Sequence, residues 1–244
     1  MATGRVFAGT SGWAYNTWKP GFYPADVPAR RFLQHYSTRL TTVEVNYTFR
    51  SLPTAPQLAG WLAAAQPGFR FSFKAPEAIT HRKRLRDCGE QVGAFLAAIQ
   101  PARVFDAFGC VLFQLPPNFK ADAQRLANFL ALPQMEHAGR IAFEFRNESW
   151  FNDEIYTILR GHRAALCIAE SEDLTTPEVQ TAPDFACFRI RKDGGYTAAA
   201  VARHATRFAA VAQDRDVFVH YKHEDEPTGP LAAELLLKKL KRVR

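Results

Sequence analysis

Eight short runs rich in β-branched and aromatic residues recur along the chain, separated by longer stretches of helical character, and no other feature narrows the possible folds as far. The runs are Val6–Gly9, Thr42–Thr48, Phe69–Lys74, Gly109–Leu115, Arg140–Arg146, Ala164–Ala169, Phe185–Arg191 and Val217–Tyr221. Several are apolar almost throughout, as strands covered on both faces must be. Between them the sequence predicts helices over Arg30–Leu40, Ala55–Ala65, Glu90–Phe105, Ala121–Leu130, Asp153–Gly161, Ala198–Gln213 and Pro230–Leu240. Alternation of this kind builds a parallel sheet. One connection departs from it: Ser171–Pro183, with its prolines and threonines, is a poor helix, so the fold is expected to be irregular between the sixth and seventh strands.

A count of eight strands and the absence of a GxGxxG turn favour a closed TIM-type (β/α) barrel over an open doubly wound α/β sheet. No repeat of fixed period and no Gly/Ser/Pro-rich linker divides the 244 residues, so one barrel domain over residues 1–244 is expected. No window approaches the roughly eighteen uninterrupted apolar residues of a membrane span, and Met1 to Phe7 carries no apolar leader core. A cytoplasmic protein without a membrane partner follows as the expectation. Cys88, Cys110, Cys167 and Cys187 have no CxxC spacing, and the last three sit in apolar runs, which predicts free buried thiols.

The strand ends carry the chemistry. In a (β/α)₈ barrel the C-terminal strand ends form the active face, and nearly every run here ends on a polar residue. The first leads into Gly9-Thr10-Ser11-Gly12-Trp13; the second, by its period of two, sets Glu44, Asn46 and Thr48 on one face. The third closes on Lys74 before Pro76, the fourth on Gln114 before two prolines, and the fifth alternates Glu144 and Arg146 with phenylalanines. Arg189 and Arg191 alternate in the seventh, and His220 and Lys222 flank Tyr221 in the eighth. A lone charge inside an apolar strand costs several kcal/mol. Glu44, Lys74, Glu144, Arg146 and Arg189 gathered at one mouth would neutralise one another. They mark either a site or a satisfied polar plug.

Several of these segments are familiar together. Gly9-Thr10-Ser11-Gly12-Trp13 with Phe22-Tyr23-Pro24, Thr42-Val43-Glu44-Val45-Asn46 with Thr48-Phe49, Phe71-Ser72-Phe73-Lys74, Thr80-His81, Phe113-Gln114-Leu115-Pro116-Pro117 and Glu144-Phe145-Arg146 with Ser149-Trp150 resemble the YecE-like family, a domain of unknown function. The resemblance covers nearly the whole chain and implies a TIM-type barrel with its motifs at one end; likeness of fold to sugar isomerases brings no reaction with it. Two positions depart from the family pattern. Arg189-Ile190-Arg191-Lys192 stands where members tend to carry Arg-x-His-Gly, and Tyr221-Lys222-His223 where an aromatic-Asn-Asn segment often follows. If those positions touch a ligand, the substrate differs or activity is lost.

The leading expectation is acid/base chemistry, as an isomerase, lyase or hydrolase, on a small anionic or sugar-like, polyhydroxylated ligand. Glu44, Glu144 and Lys74 are the candidate catalytic groups. Trp13, Asn46, His81, Gln114, Arg146, Trp150 and Arg189 are the candidate substrate contacts. No cofactor is predicted. A divalent metal would need ligands beyond Glu44 and Glu144, with His81 and His220 as the nearest candidates, and the neighbouring cations would repel it. His35, His137, His162 and His204 read as surface residues.

Nucleic acid is the alternative partner. The formal charge of +7, the run His81-Arg82-Lys83-Arg84-Leu85-Arg86 and the aromatics Trp13, Trp18, Phe22 and Tyr23 would suit it, although cationic runs, like that of the tail Lys238 to Arg244, are commonly solvated faces. The other reading of those aromatics is a loop packed over the mouth, as Pro20 and Pro24 suggest. A third possibility is a barrel that binds without turning over. No Ser-His-Asp arrangement and no P-loop is visible.

Overall fold

The computed structural model describes residues 4–171, 174–192, 194–222 and 226–243. Eight strands are present: β1 (Val6–Ser11), β2 (Thr42–Val45), β3 (Arg70–Lys74), β4 (Phe108–Gln114), β5 (Ile141–Glu144), β6 (Ala165–Glu170), β7 (Phe185–Ile190) and β8 (Asp216–Tyr221). Every neighbouring pair is parallel, and β8 returns to β1, closing a TIM-type barrel in chain order. Around it lie α1 (Phe32–Arg39), α2 (Ala55–Ala64), α3 (Gly89–Val104), α4 (Ala123–Leu130), α5 (Asp153–Gly161), α6 (Ala198–Val211) and α7 (Thr228–Val243). No helix follows β6 among the described residues, in keeping with the composition of Ser171–Pro183.

Local chemistry fixes where the helices start. The side chains of Thr54, Asp122, Asn152 and Thr197 each accept from the backbone N–H three residues on, which satisfies one of the unpaired donors of a first turn. At the end of β1, Gly12 takes φ +88°, a conformation open to glycine, and its N–H donates to the Glu44 carbonyl at 2.9 Å.

Apolar residues fill two layers. The larger lies between strands and helices; the smaller fills the barrel, where Phe7 stacks on Phe218 at 5.0 Å in one cluster with Cys110, Cys167 and Cys187. All four cysteines are free and buried, as their spacing suggested. No helix among the described residues is long and apolar enough to cross a membrane.

Several expectations need correction. β2 stops at Val45 because Asn46 adopts a helical backbone and Tyr47–Phe49 forms a 3₁₀ turn, so strand alternation does not carry on to Asn46 and Thr48. Thr48 is fully buried, and its hydroxyl contacts the carbonyl oxygens of Val45 and Lys74 at 2.8 and 2.7 Å. β5 likewise ends at Glu144, leaving Arg146 beyond it. Trp18, Phe22 and Tyr23 are buried, with Tyr23 stacked on Phe32 of α1 at 4.1 Å, so they offer no stacking platform to a nucleic acid. His204 is no surface residue: it is buried in α6, its Nδ1 3.0 Å from the Tyr221 hydroxyl.

Candidate functional site at the barrel mouth

Strand register sets the polar residues level with one another. Ser11 pairs with Glu44, Gln114 with Glu144, and Arg189 lies between Ala169 and His220. All of these but Ala169 are polar, and they form the last layer inside the barrel before its C-terminal mouth. Glu44 and Glu144 are each 1% exposed and Arg189 3%. Residues from β2, β5 and β7 therefore meet out of contact with bulk water.

Arg189 is the hub. Its Nη2 donates to Glu44 Oε1 at 2.9 Å, and its Nη1 donates to Glu144 Oε2 and, at 3.3 Å, to Gln114 Oε1. Burial opposes the guanidinium charge, but Glu144 and Glu44 more than offset that and hold its pKa above the ordinary arginine value. The two carboxylates differ in their remaining contacts. Glu144 Oε1 accepts from Arg146 Nε at 3.0 Å, so both its oxygens are occupied. Glu44 Oε1 accepts a second bond from Ser11 Oγ at 2.9 Å, whereas Glu44 Oε2 is buried with no partner among the described residues. Burial pulls the Glu44 pKa upward, yet Arg189, His220 and Lys74 together keep it below the usual carboxylate range, so it is ionised at neutral pH.

Lys74 completes the group from the end of β3. Its Nζ sits over the Phe49 ring, 4.2 Å from the centroid, and burial followed by the charge of Arg189 lowers its pKa to about 8. His81 meets the other side of the arrangement, edge-on to Phe49 at 5.1 Å with its Nδ1 2.9 Å from Thr80 Oγ1. Burial, then Lys74, pushes the His81 pKa down. It is carried by a π-helical turn, Ala78–Arg82, followed by left-handed backbone at Arg84, Leu85 and Asp87. Such costly local geometry concentrates at functional sites.

Of the residues singled out from sequence, Glu44, Glu144, Arg189, Gln114 and Arg146 are joined by hydrogen bonds, and Lys74 feels their charges. Asn46 is half-buried, its Oδ1 without a partner among the described residues. Trp13 packs edge-on to Trp61 at 5.4 Å, and Trp61 to the exposed Tyr47 at 5.9 Å, which builds an aromatic wall beside β1 and β2. Trp150 is not brought to the mouth. It is fully buried, stacked on Phe145 at 4.6 Å, with its indole N–H donated to the Phe119 carbonyl.

Ser11 and His220 belong to the layer as well. His220 is 1% exposed, both its ring nitrogens lack partners among the described residues, and burial lowers its pKa to about 4. Both stand among the polar strand ends that the sequence shows, though neither is among its candidate catalytic or substrate-contact residues; the period of two sets Ser11 with Phe7 and Gly9, and His220 with Phe218, on the inner face. Trp61, on α2, carried no comparable signal. Of the two departures at the strand ends, Arg191 is half-buried with no partner for its Nε among the described residues and Lys222 donates its backbone N–H to the Ile190 carbonyl, while His223 lies outside the described residues. Among the described residues no three His, Cys, Asp or Glu side chains are grouped so as to hold a metal ion.

Comparison with known proteins gives a consistent picture. The family described as "Protein of unknown function DUF72" matches residues 7–244. Among curated proteins, UPF0759 protein YunF of Bacillus subtilis is 26% identical over 155 residues, 62% of this chain and 54% of that protein. UPF0759 protein YecE of Escherichia coli is 32% identical over 133 residues, 53% of this chain and 47% of that protein. The matched stretches thus span about half the length of these relatives. Two solved DUF72 structures share the fold: one from Thermotoga maritima, with TM-score 0.84 at 23% identity over 97% of this chain and 99% of that one, and one from Enterococcus faecalis, with TM-score 0.81 at 17% identity over 97% and 95%.

Proposed function

The chain belongs to the DUF72 family, and we propose that its barrel mouth performs acid/base chemistry on a small anionic or polyhydroxylated substrate. One observation carries the proposal: the two carboxylates held by Arg189 are unequal. Glu144 is saturated by two arginines and serves as a fixed counter-charge that orients them. Glu44 keeps one buried oxygen without a donor, so it is the group able to accept a proton. Lys74, with its pKa brought down to about 8, is the matching donor near neutral pH. Unpartnered donors on Arg146 and Arg191 suit a carboxylate or phosphate on the ligand, and the wall of Trp13, Trp61 and Tyr47 suits the apolar face of a sugar ring.

A thermal-shift screen of the purified protein against sugar acids, phosphorylated sugars, divalent metals and short oligonucleotides tests this reading. A rise in melting temperature with a small anion or sugar acid, lost in Lys74→Ala and Arg146→Ala, is the expected result. A rise with oligonucleotides alone, abolished by salt, overturns it in favour of nucleic acid.

A further inference from the structure

Lys74 differs from the other cations of the mouth in what it touches. Arg189 places both terminal nitrogens on carboxylates and Arg146 places Nε on one. Those contacts occupy both oxygens of Glu144 and one of Glu44. Lys74 Nζ forms no ion pair within 4.0 Å among the described residues and rests on the face of Phe49 instead. Its backbone is pinned, because Thr48 Oγ1 donates to the Lys74 carbonyl at 2.7 Å, Lys74 pairs with Leu112 of β4, and the next N–H, of Ala75, donates to the Leu112 carbonyl at 2.8 Å. The side chain is only partly buried, so a ligand entering the mouth meets it. A fixed, reachable amine that no carboxylate holds is equipped for more than proton transfer.

We propose that Lys74 is a nucleophile that condenses with the carbonyl group of a ligand to form an imine. This deepens the reading of the mouth as a site for small anions and rests on it. The amine lone pair forms the C–N bond at the carbonyl carbon, and a proton passes from nitrogen to the former carbonyl oxygen through a solvent molecule. A second proton, from solvent, completes the water molecule that departs when the C–O bond breaks, leaving a protonated imine. Nothing is oxidised or reduced in the condensation. Glu44, Glu144, Arg189, Arg191 and His81 are the charged and titratable groups around the amine, and with the pKa at about 8 roughly a tenth of it is neutral at pH 7. The ligand class is a carbonyl compound bearing an acidic group, with the unpartnered Arg146 Nη2 as its anchor.

The test is reductive trapping on the full chain: pyruvate with sodium cyanoborohydride at neutral pH, read by peptide mass spectrometry, with exposed Lys120 as the internal reference. Carboxyethylation of Lys74 at least about tenfold faster than of Lys120 is expected. Equal or slower labelling of Lys74 overturns the proposal. Acetone provides the second arm. If it labels Lys74 as fast as pyruvate does, the imine chemistry stands and the anion-binding reading of the mouth falls. Because wild-type protein is labelled, no variant has to fold.

Discussion

The two halves of the barrel interior obey different rules. The lower half is largely apolar: Phe7, Phe185 and Phe218 cluster with Cys110, Cys167 and Cys187. Burial raises the Cys167 pKa, and the contact with Cys187, then burial, raises that of Cys110, so these thiols stay protonated and unreactive. The upper half, one or two residues further along the same strands, buries Glu44, Glu144, Arg189 and His220. The lower half is what a stable barrel needs. Ion pairs removed from water, by contrast, gain little or nothing over apolar side chains of similar size. A layer that retains such groups, with Glu44 Oε2 and both His220 nitrogens without partners among the described residues, is the feature on which the proposed ligand site rests.

Four substitutions break or sharpen this contrast. The largest effect is expected for Arg189→Met, which leaves two carboxylates buried without their counter-ion and should cost about 3–5 kcal/mol in chemical denaturation. His220 comes next. Its pKa is lower in the folded chain, at about 4, than in the unfolded one, so the unfolded state takes up the proton first. The stability that neutral His220 contributes is complete above the ordinary histidine range and is lost as pH falls toward 4. His220→Gln should remove up to about 3 kcal/mol of that acid sensitivity in melts followed from pH 7 to pH 4.

Lys74→Met should have a smaller effect of opposite sign. Its lowered pKa means that the folded state resists carrying the charge, so wild type is penalised below pH 8 and relieved as pH climbs from 8 through the ordinary lysine range. The variant should be about 1–2 kcal/mol more stable at pH 7, allowing for partial exposure, with the gap closing in alkali. The smallest effect belongs to the lower half. Cys167→Ala should cost about 1 kcal/mol, and equally at acidic and neutral pH, because no charge is involved.

The barrel is legible because several strands are apolar almost throughout and alternate with longer stretches of helical character, so pattern alone separates the elements. The site was legible where a charge interrupts such a strand, as at Glu44, Lys74, Glu144 and Arg189. Legibility failed at the strand ends. The period of two points past Val45 to Thr48, where a 3₁₀ turn takes over, and Trp150, close in sequence to Glu144 and Arg146, stacks on Phe145 and donates its indole N–H to the Phe119 carbonyl. Trp61 carries no signal because a helical tryptophan gives no hint of which neighbour's loop it faces, and the sequence leaves Trp18, Phe22 and Tyr23 open between an exposed and a packed loop because the α1 partners of Phe22 and Tyr23 are distant in the chain.

Whether the upper layer exists for a ligand or for the fold is decided by replacing its ionic core with apolar groups of similar size. Glu44→Leu, Glu144→Leu and Arg189→Met combined in one chain should leave stability in urea at or above the wild-type value, while any ligand-induced thermal shift disappears. A loss of several kcal/mol in the triple variant would contradict the account, making the layer a structural plug that holds the barrel together.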